Sequence, residues 1–183
     1  MWGSDVTAEL RFDASEIEQL SRAIANLPGQ IKAKAMASAM RRMRDMARTR
    51  IVKRSAERTD LPVRKVAALT KAFFNAGGNT IDIVEKSGWI SLYDLGARQN
   101  ASGVRVKARG SYRSAFIAEM ESGHRGVMKR VGKKRLPIRE LFGPNPAHDV
   151  TNNPEEFLKV LAELIEQNLA PRVLHEIDRL LPR

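Results

Sequence analysis

The chain has 183 residues, with 32 Lys or Arg against 21 Asp or Glu and no cysteine, which gives a formal charge of +11. The lack of cysteine excludes disulfides and cysteine-based zinc sites, and it fits a reducing cytoplasm. No apolar run approaches the roughly 20 residues of a membrane-spanning helix, and the start, MWGSDVTAELRFD, lacks the features of a secretory signal. We therefore expect no membrane partner.

The charge is concentrated in the middle of the chain. Residues 31–75 carry 13 basic and 3 acidic side chains, and residues 76–140 carry 13 and 6, whereas residues 141–183 carry 4 and 7. A basic middle attracts polyanions, which include both nucleic acid and acidic protein surfaces. Charge alone does not choose between these two classes of partner.

The first two elements are a strand and a helix. The alternation of DVTAELRF (5–12) predicts a strand. DASEIEQLSRAIANLPG (13–29) has apolar residues at helical spacing and ends in Pro-Gly, which predicts an amphipathic helix.

A long helix is predicted over about 29–58. Its apolar stripe steps by four, three, four and four, through Met36, Met40, Met43, Ala47 and Ile51. Basic residues flank this stripe: Arg41, Arg44 and Arg48 on one side, Arg42 and Lys53 on the other. These arginines are either solvated side chains that lie along a buried stripe or a surface for a polyanion or protein partner.

The period then changes from helical to alternating. DLPVRKVAALTKAF (60–73) predicts a short helix. Six runs after it predict strands of one largely antiparallel sheet: NTIDIVEK, GWISLYDL, GVRVKA, SAFIAEM, GVMKRV and RLPIRELF. GARQNASG (96–103) is small and polar, so we expect a mobile loop.

The carboxyl-terminal part predicts a connector and a helix. Prolines between 144 and 154 indicate an irregular connector, and the segment from Asn153 onward is amphipathic. Pro171 is expected to kink or break that helix. The whole pattern predicts a single α+β domain over 1–183, in which a mainly antiparallel sheet packs with a long N-terminal helix and a C-terminal helix.

No catalytic, cofactor-binding or metal-binding residue is predicted. The three histidines, His124, His148 and His175, have no metal-ligand spacing, and the acidic residues are scattered. Nucleophile-elbow, phosphate-loop and dinucleotide motifs are absent from the sequence. We therefore expect a protein that is not an enzyme and needs no cofactor.

GVRVKARG (103–110) predicts a strand with three cations on one face, namely Arg105, Lys107 and Arg109. Such a row could contact phosphates, or it could keep an edge strand soluble. The candidate polyanion contacts are Arg105, Lys107, Arg109, Arg41, Arg44 and Arg48. No sequence-reading motif or stacking aromatic accompanies them, so any nucleic-acid contact would be non-specific and directed at the backbone.

HRGVMKRVGKKRLPIRELFGP (124–144) predicts a basic hairpin near 124–142. Two strand-like runs flank GKK, which is turn material, and Pro137 restricts its strand to an edge, a start or a bulge. The cations cluster at the turn above an apolar base. The candidate partner-interface residues are Lys129, Arg130, Lys133, Lys134, Arg135 and Pro137.

This region resembles the signature of the minor tail protein Z family of tailed phages and prophages. The residues that carry the resemblance are Gly123, His124, Arg125, Gly126 and Val127, then Leu136, Pro137, Ile138, Glu140, Leu141, Phe142, Gly143 and Pro144. Met128 stands where an aromatic residue is more usual. TDLPVRKV, AFIAEMESGHRGV and the terminal helix are also similar to the family, so the resemblance covers most of the chain.

The resemblance implies a structural role in tail completion at the head-proximal end of the tail. It implies no enzyme activity and no cofactor. Its partners would be other tail or head–tail connector proteins, with the protein forming a homo-oligomeric ring and residing in the virion tail after assembly in the bacterial cytoplasm. A non-specific nucleic-acid-binding protein is the alternative function that the basic middle leaves open.

Overall fold

The structure is a computed structural model that describes residues 8–13 by their backbone and residues 28–77, 80–107 and 109–181 in full. The helix predicted over 13–29 lies, apart from its two ends, outside the described residues. The described elements follow in this order: β1 (Ala8–Asp13), α1 (Gly29–Thr59), α2 (Val63–Leu69), β2 (Thr70–Asn75), β3 (Thr80–Glu85), a 3-10 helix (Tyr93–Leu95), β4 (Ala97–Asn100), β5 (Gly103–Val106), β6 (Gly110–Arg113), β7 (Ala115–Glu119), β8 (Arg125–Arg130), β9 (Ile138–Glu140), α3 (Pro146–Asn152) and α4 (Pro154–Leu180).

The fold is α+β, as the alternation of periods predicts, but the strands do not form one sheet. The described strands form three antiparallel sheets of three strands each, in the orders β1-β3-β2, β4-β5-β6 and β7-β8-β9. We refer to them as the first, second and third sheets. The prediction of one sheet was wrong because alternation identifies the buried face of a strand and not its pairing partner.

The main core lies between α1, α4 and the first sheet. The predicted stripe of α1 is buried in it from Met40 to Ile51, with Met36 packed at its margin. On α4 the inward side chains are Phe157, Leu161, Leu164, Leu169, Val173 and Ile177. A separate core between the second and third sheets contains Leu92, Val104, Val106, Ala115 and Val127. The molecule therefore has a helical half, which contains the first sheet, and a β half. A third apolar cluster, which includes Val52, Leu61 and Ile90, has Leu95 packed against it, and Leu95 also packs against the core of the β half.

Helix α4 runs through Pro171 without a break. Proline removes one backbone donor from a helix interior, yet Leu169 and Val173 on either side of it are buried in the main core. Packing on both sides holds the backbone helical, and the exposed ring of Pro171 faces away. Of the two effects predicted for Pro171, a kink or a break, the structure excludes the break.

Other local predictions also differ from the structure. The helix predicted over 60–73 ends at Leu69, and β2 begins at Thr70. The predicted loop over 96–103 is a hairpin, because Asn100 pairs with Gly103 and its Oδ1 accepts from Ser102 N at 3.1 Å, which closes a two-residue turn. The predicted strand in GWISLYDL is a single bridge at Ser91 followed by the 3-10 helix. The proline connector contains α3, where Asn145 Oδ1 accepts from Ala147 N and Pro146 occupies the first helical position.

Candidate functional site

The predicted basic hairpin is present, and it is longer than the GKK turn. Strands β8 and β9 pair with Arg130 opposite Ile138, and Val131 N donates to Pro137 O at 3.1 Å to close the connection. Residues 131–137 therefore form the loop, which we call the hairpin tip. Pro137 lies immediately before β9, an edge strand, which is one of the places predicted for it.

The hairpin tip is exposed at every position. It presents three adjacent cations, Lys133, Lys134 and Arg135, between two apolar side chains. Val131 is 61% exposed and Leu136 is 65% exposed. The sequence predicts an apolar base for the hairpin, but apolar Leu136 lies in its exposed tip. Exposed apolar side chains with polar residues around them offer a partner both apolar contact and charge.

Few cations of the hairpin have a partner in the molecule. Arg125 forms an ion pair with Glu119 at 2.8 Å, and Arg130 lies 5.0 Å from the centre of the Phe116 ring. Among the described residues, no ion pair or hydrogen bond engages the side chains of Lys129, Lys133, Lys134, Arg135 and Arg139. Lys129 and Arg139 lie directly opposite each other across the strands, which is an unfavourable arrangement of like charges.

A polar cluster that we call the hairpin root fixes the position of the hairpin. The Glu140 carboxylate accepts from Ser91 Oγ at 2.9 Å and lies 2.8 Å from His124 Nε2. Gly126 leaves the space that this carboxylate occupies, since a Cβ there would be 2.7 Å from Glu140 Oε1. His124 is thus a hydrogen-bonding histidine.

The residues that carry the family resemblance lie mainly at the root. Gly143 N donates to Ile90 O at 2.7 Å, and a Cβ on Gly143 would be 2.9 Å from Leu95 Cδ1. Val127 is fully buried between the second and third sheets. The resembling residues therefore shape and anchor the hairpin, while its cations project beyond them.

We expect Gly126→Ala to lower the free energy of unfolding by about 1–3 kcal/mol. The added methyl group must displace the Glu140 carboxylate and so break its bonds to Ser91 and His124. The control is Gly132→Ala in the hairpin tip, where a Cβ meets nothing within 4 Å. Urea unfolding of both variants measures the difference, and equal stability of the two would contradict a packed root.

The six predicted polyanion contacts do not form one surface. Arg41 lies on α1 some 18 residues before Thr59, which is about 27 Å along the helix axis. Arg44 Nη2 forms an ion pair with Asp45 Oδ1 at 2.8 Å. Arg105 and Lys107 are exposed in the β half. The six residues are thus spread over both halves of the molecule.

Two of these cations bind the ends of helices instead. Arg48 donates to Ala67 O at 2.7 Å and to Thr70 O at 3.0 Å, which satisfies carbonyls at the end of α2. Arg109 donates to Thr59 O at the end of α1. Helix carboxyl ends have free carbonyls and a partial negative charge, so they hold guanidinium groups well. The predicted row of three cations is also incomplete, because β5 ends at Val106 before Lys107 and Arg109.

Sequence reasoning missed Arg98, which the structure places directly opposite Arg105 across β4 and β5. A usable signal was present in the sequence. Asn100 and Gly103 flank a two-residue turn. Arg98 lies two residues before Asn100, and Arg105 lies two residues after Gly103. Recognising a hairpin instead of a loop would have placed the two arginines opposite each other.

Within the described ranges, no group of three or more His, Asp or Glu side chains is placed to hold a metal ion. No helix in the part of the chain that the structure describes is long and apolar enough to cross a membrane. No family model, curated protein or solved structure matches the chain. The resemblance to the minor tail protein Z family therefore stays a prediction that rests on the residues named above.

Proposed function

We propose that this protein is a non-enzymatic structural component of a phage or prophage tail, and that it acts in tail completion near the head–tail junction. The hairpin tip is the surface that contacts a partner. The observation that carries this proposal is the tip itself, where three cations that pair with no described residue lie between two exposed apolar side chains on an anchored hairpin.

The composition of the tip favours a protein partner. Contact through Val131 and Leu136 lowers the free energy of binding only when an apolar surface covers them. A phosphate backbone offers little apolar surface. The cations of the tip and the strands below it would face carboxylates of the partner, which sets orientation and speeds association. A tail or head–tail connector protein with an apolar patch ringed by acidic residues fits both features.

The resemblance adds the setting of this contact. The protein would form a homo-oligomeric ring when assembled, since a contact between two different surfaces of identical subunits closes into a ring when the rotation allows it. Assembly would take place in the bacterial cytoplasm, and the ring would remain in the virion tail.

We expect the double variant Lys133→Glu with Lys134→Glu to fold normally and to block tail completion. Reversing two charges at a docking surface costs on the order of 3 kcal/mol, which is roughly a 100-fold loss of affinity for tails. The measurement is the titre of infectious particles when the variant is the only source of this protein. Circular dichroism would verify the fold.

The matched control is Arg42→Glu with Lys53→Glu, which makes the same change of net charge at two exposed positions of α1. Its titre should remain close to that of the wild type. A second test variant, Val131→Ser with Leu136→Ser, leaves the charge unchanged and should also lower the titre. Wild-type titre from both hairpin variants would refute docking through the tip.

A further inference from the structure

A cleft of about 660 Å³ opens beside the second sheet, away from the hairpin tip. Three cations line it, Arg98, Arg105 and Lys107, together with Leu95 and Gly110. No acidic side chain is among its lining residues in the described part of the chain, and no described residue pairs with any of the three cations. The cleft is thus a concentrated positive site without internal compensation.

The two arginines are held close together by the backbone. Arg98 on β4 and Arg105 on β5 are directly opposite in the antiparallel register, so their side chains leave the same face of the sheet about 5 Å apart at their origin. Like charges at that separation repel each other. A bound anion between them would remove this repulsion.

Protection of a sheet edge does not account for Arg105. Charged side chains on edge strands prevent unwanted pairing, and β4 is an edge strand. Strand β5, however, is the central strand of the second sheet, with β4 on one side and β6 on the other. Arg105 is exposed on this central strand, so it does not protect a sheet edge. Binding of a ligand would account for a cation at this position.

We propose that this cleft binds the phosphodiester backbone of nucleic acid without regard to sequence. Guanidinium groups bind phosphate oxygens through two parallel hydrogen bonds. Lys107 follows Arg105 by two residues, which adds a third cation roughly 7 Å further along the chain. The cleft is also larger than a single phosphate requires, and a volume in this range accepts a ligand of several groups.

The other residues that line the cleft explain why the proposed contact is with the nucleic-acid backbone and not with the bases. The described residues that line the cleft include no aromatic side chain, so they offer no platform on which a base could stack. An adjoining cavity of about 320 Å³ shares Leu95 and Lys107 but also contains Asp60. Arg109, whose guanidinium donates to Thr59 O, lines this cavity as well, so it carries charges of both signs, whereas the described lining of the cleft carries only cations.

The test is fluorescence anisotropy of the full chain with a labelled 20-nucleotide single strand and the corresponding duplex, in 50–200 mM salt. We expect both to bind to the wild type. Arg98→Gln with Arg105→Gln should weaken binding about tenfold at the lowest salt. It should also reduce the slope of log affinity against log salt by about 1.5, because each lost phosphate contact contributes roughly 0.7–0.9.

The matched control is Lys133→Gln with Lys134→Gln, which removes the same charge from the hairpin tip and should change the affinity much less. Lys107→Gln is the second cleft variant, and it should weaken binding in the same direction. Thermal unfolding verifies each fold, and the exposed, mutually repelling arginines should tolerate glutamine.

Three results would overturn the proposal. The first is no binding by the wild type at 50 mM salt. The second is equal weakening by the cleft and hairpin variants, which would indicate a general effect of net charge. The third is stronger competition by poly-glutamate than by inorganic polyphosphate, which would identify an acidic protein as the ligand. Because the hairpin and the cleft are mutated separately, the result for the cleft does not decide whether the hairpin tip binds a partner protein.

Discussion

Replacing Phe157 with alanine is expected to lower the free energy of unfolding by about 3–5 kcal/mol, which is the usual cost of removing a fully buried aromatic ring. Phe157 is 0% exposed and belongs to the core that joins α4 to α1 and the first sheet. A loss of this size is a large share of the stability of a domain, which is typically about 5–15 kcal/mol. Urea unfolding monitored by circular dichroism measures it.

The neighbouring residue supplies the control. Leu158 is next to Phe157 on the same helix, but its side chain is 45% exposed. We expect Leu158→Ala to cost less than about 1 kcal/mol, since alanine is also the better helix former. If the two variants lost similar stability, the assignment of the inward face of α4 would be incorrect.

Replacing Glu85 with glutamine is expected to stabilise the protein at alkaline pH by up to about 3 kcal/mol. Glu85 is 2% exposed at the end of β3, where Oε1 accepts from Ser55 Oγ at 3.2 Å and Oε2 has no partner among the described residues. Burial raises the pKa of this carboxyl from 4.5 to about 7, although the Ser55 hydrogen bond acts in the opposite direction.

The pH dependence follows from the direction of that shift. Below pH 4.5 the Glu85 carboxyl is protonated in both the folded and the unfolded chain. Between about pH 4.5 and 7 the unfolded chain releases this proton while the folded chain keeps it, so folding becomes less favourable as the pH rises. A difference of about 2.5 in pKa corresponds to a loss of about 3 kcal/mol in the free energy of unfolding. Above pH 7 this loss no longer changes with pH.

The measurement is the difference in unfolding free energy between Glu85→Gln and the wild type from pH 4 to pH 8. This difference should grow in favour of the variant across pH 4.5–7 and then level off. Glu57→Gln, which changes an exposed carboxylate on α1, should give a difference within about 0.5 kcal/mol throughout. A flat difference for Glu85→Gln would show that water reaches its carboxylate.

The two proposed contact surfaces differ in chemistry as well as in place. The hairpin tip combines cations with exposed Val131 and Leu136, whereas the cleft presents cations around Leu95, Val106 and two glycines. A protein that met other tail proteins at one surface and a nucleic-acid backbone at the other would suit a position where a tail joins a DNA-filled head. This placement rests on both proposals.

Periodic features of the fold could be predicted from the sequence with little error. The helix predicted over about 29–58 is Gly29–Thr59 in the structure, because a long stripe of apolar residues leaves one way to bury it. The hairpin was also predicted, and the place of Pro137 next to an edge strand was one of three alternatives, since turn chemistry and the missing proline donor act locally.

The roles of individual cations could not be predicted in the same way. Arg41 and Arg48 flank the same stripe, yet one is exposed and the other donates to two carbonyls at the end of α2. Nothing near Arg48 in the sequence indicates those carbonyls, which are about 20 residues away. Arg109 likewise binds Thr59 O across 50 residues.

The sequence by itself therefore determined the α+β class, the long helix, the basic hairpin and the exposed position of Arg105 on its strand, because these follow from spacing between neighbouring residues. Only the tertiary structure decided the division into three sheets, the continuity of α4 through Pro171, and the separation of free cations from those that bind helix ends. These features depend on contacts between residues that are far apart in the chain. The energies of such contacts cannot be inferred from the local sequence pattern.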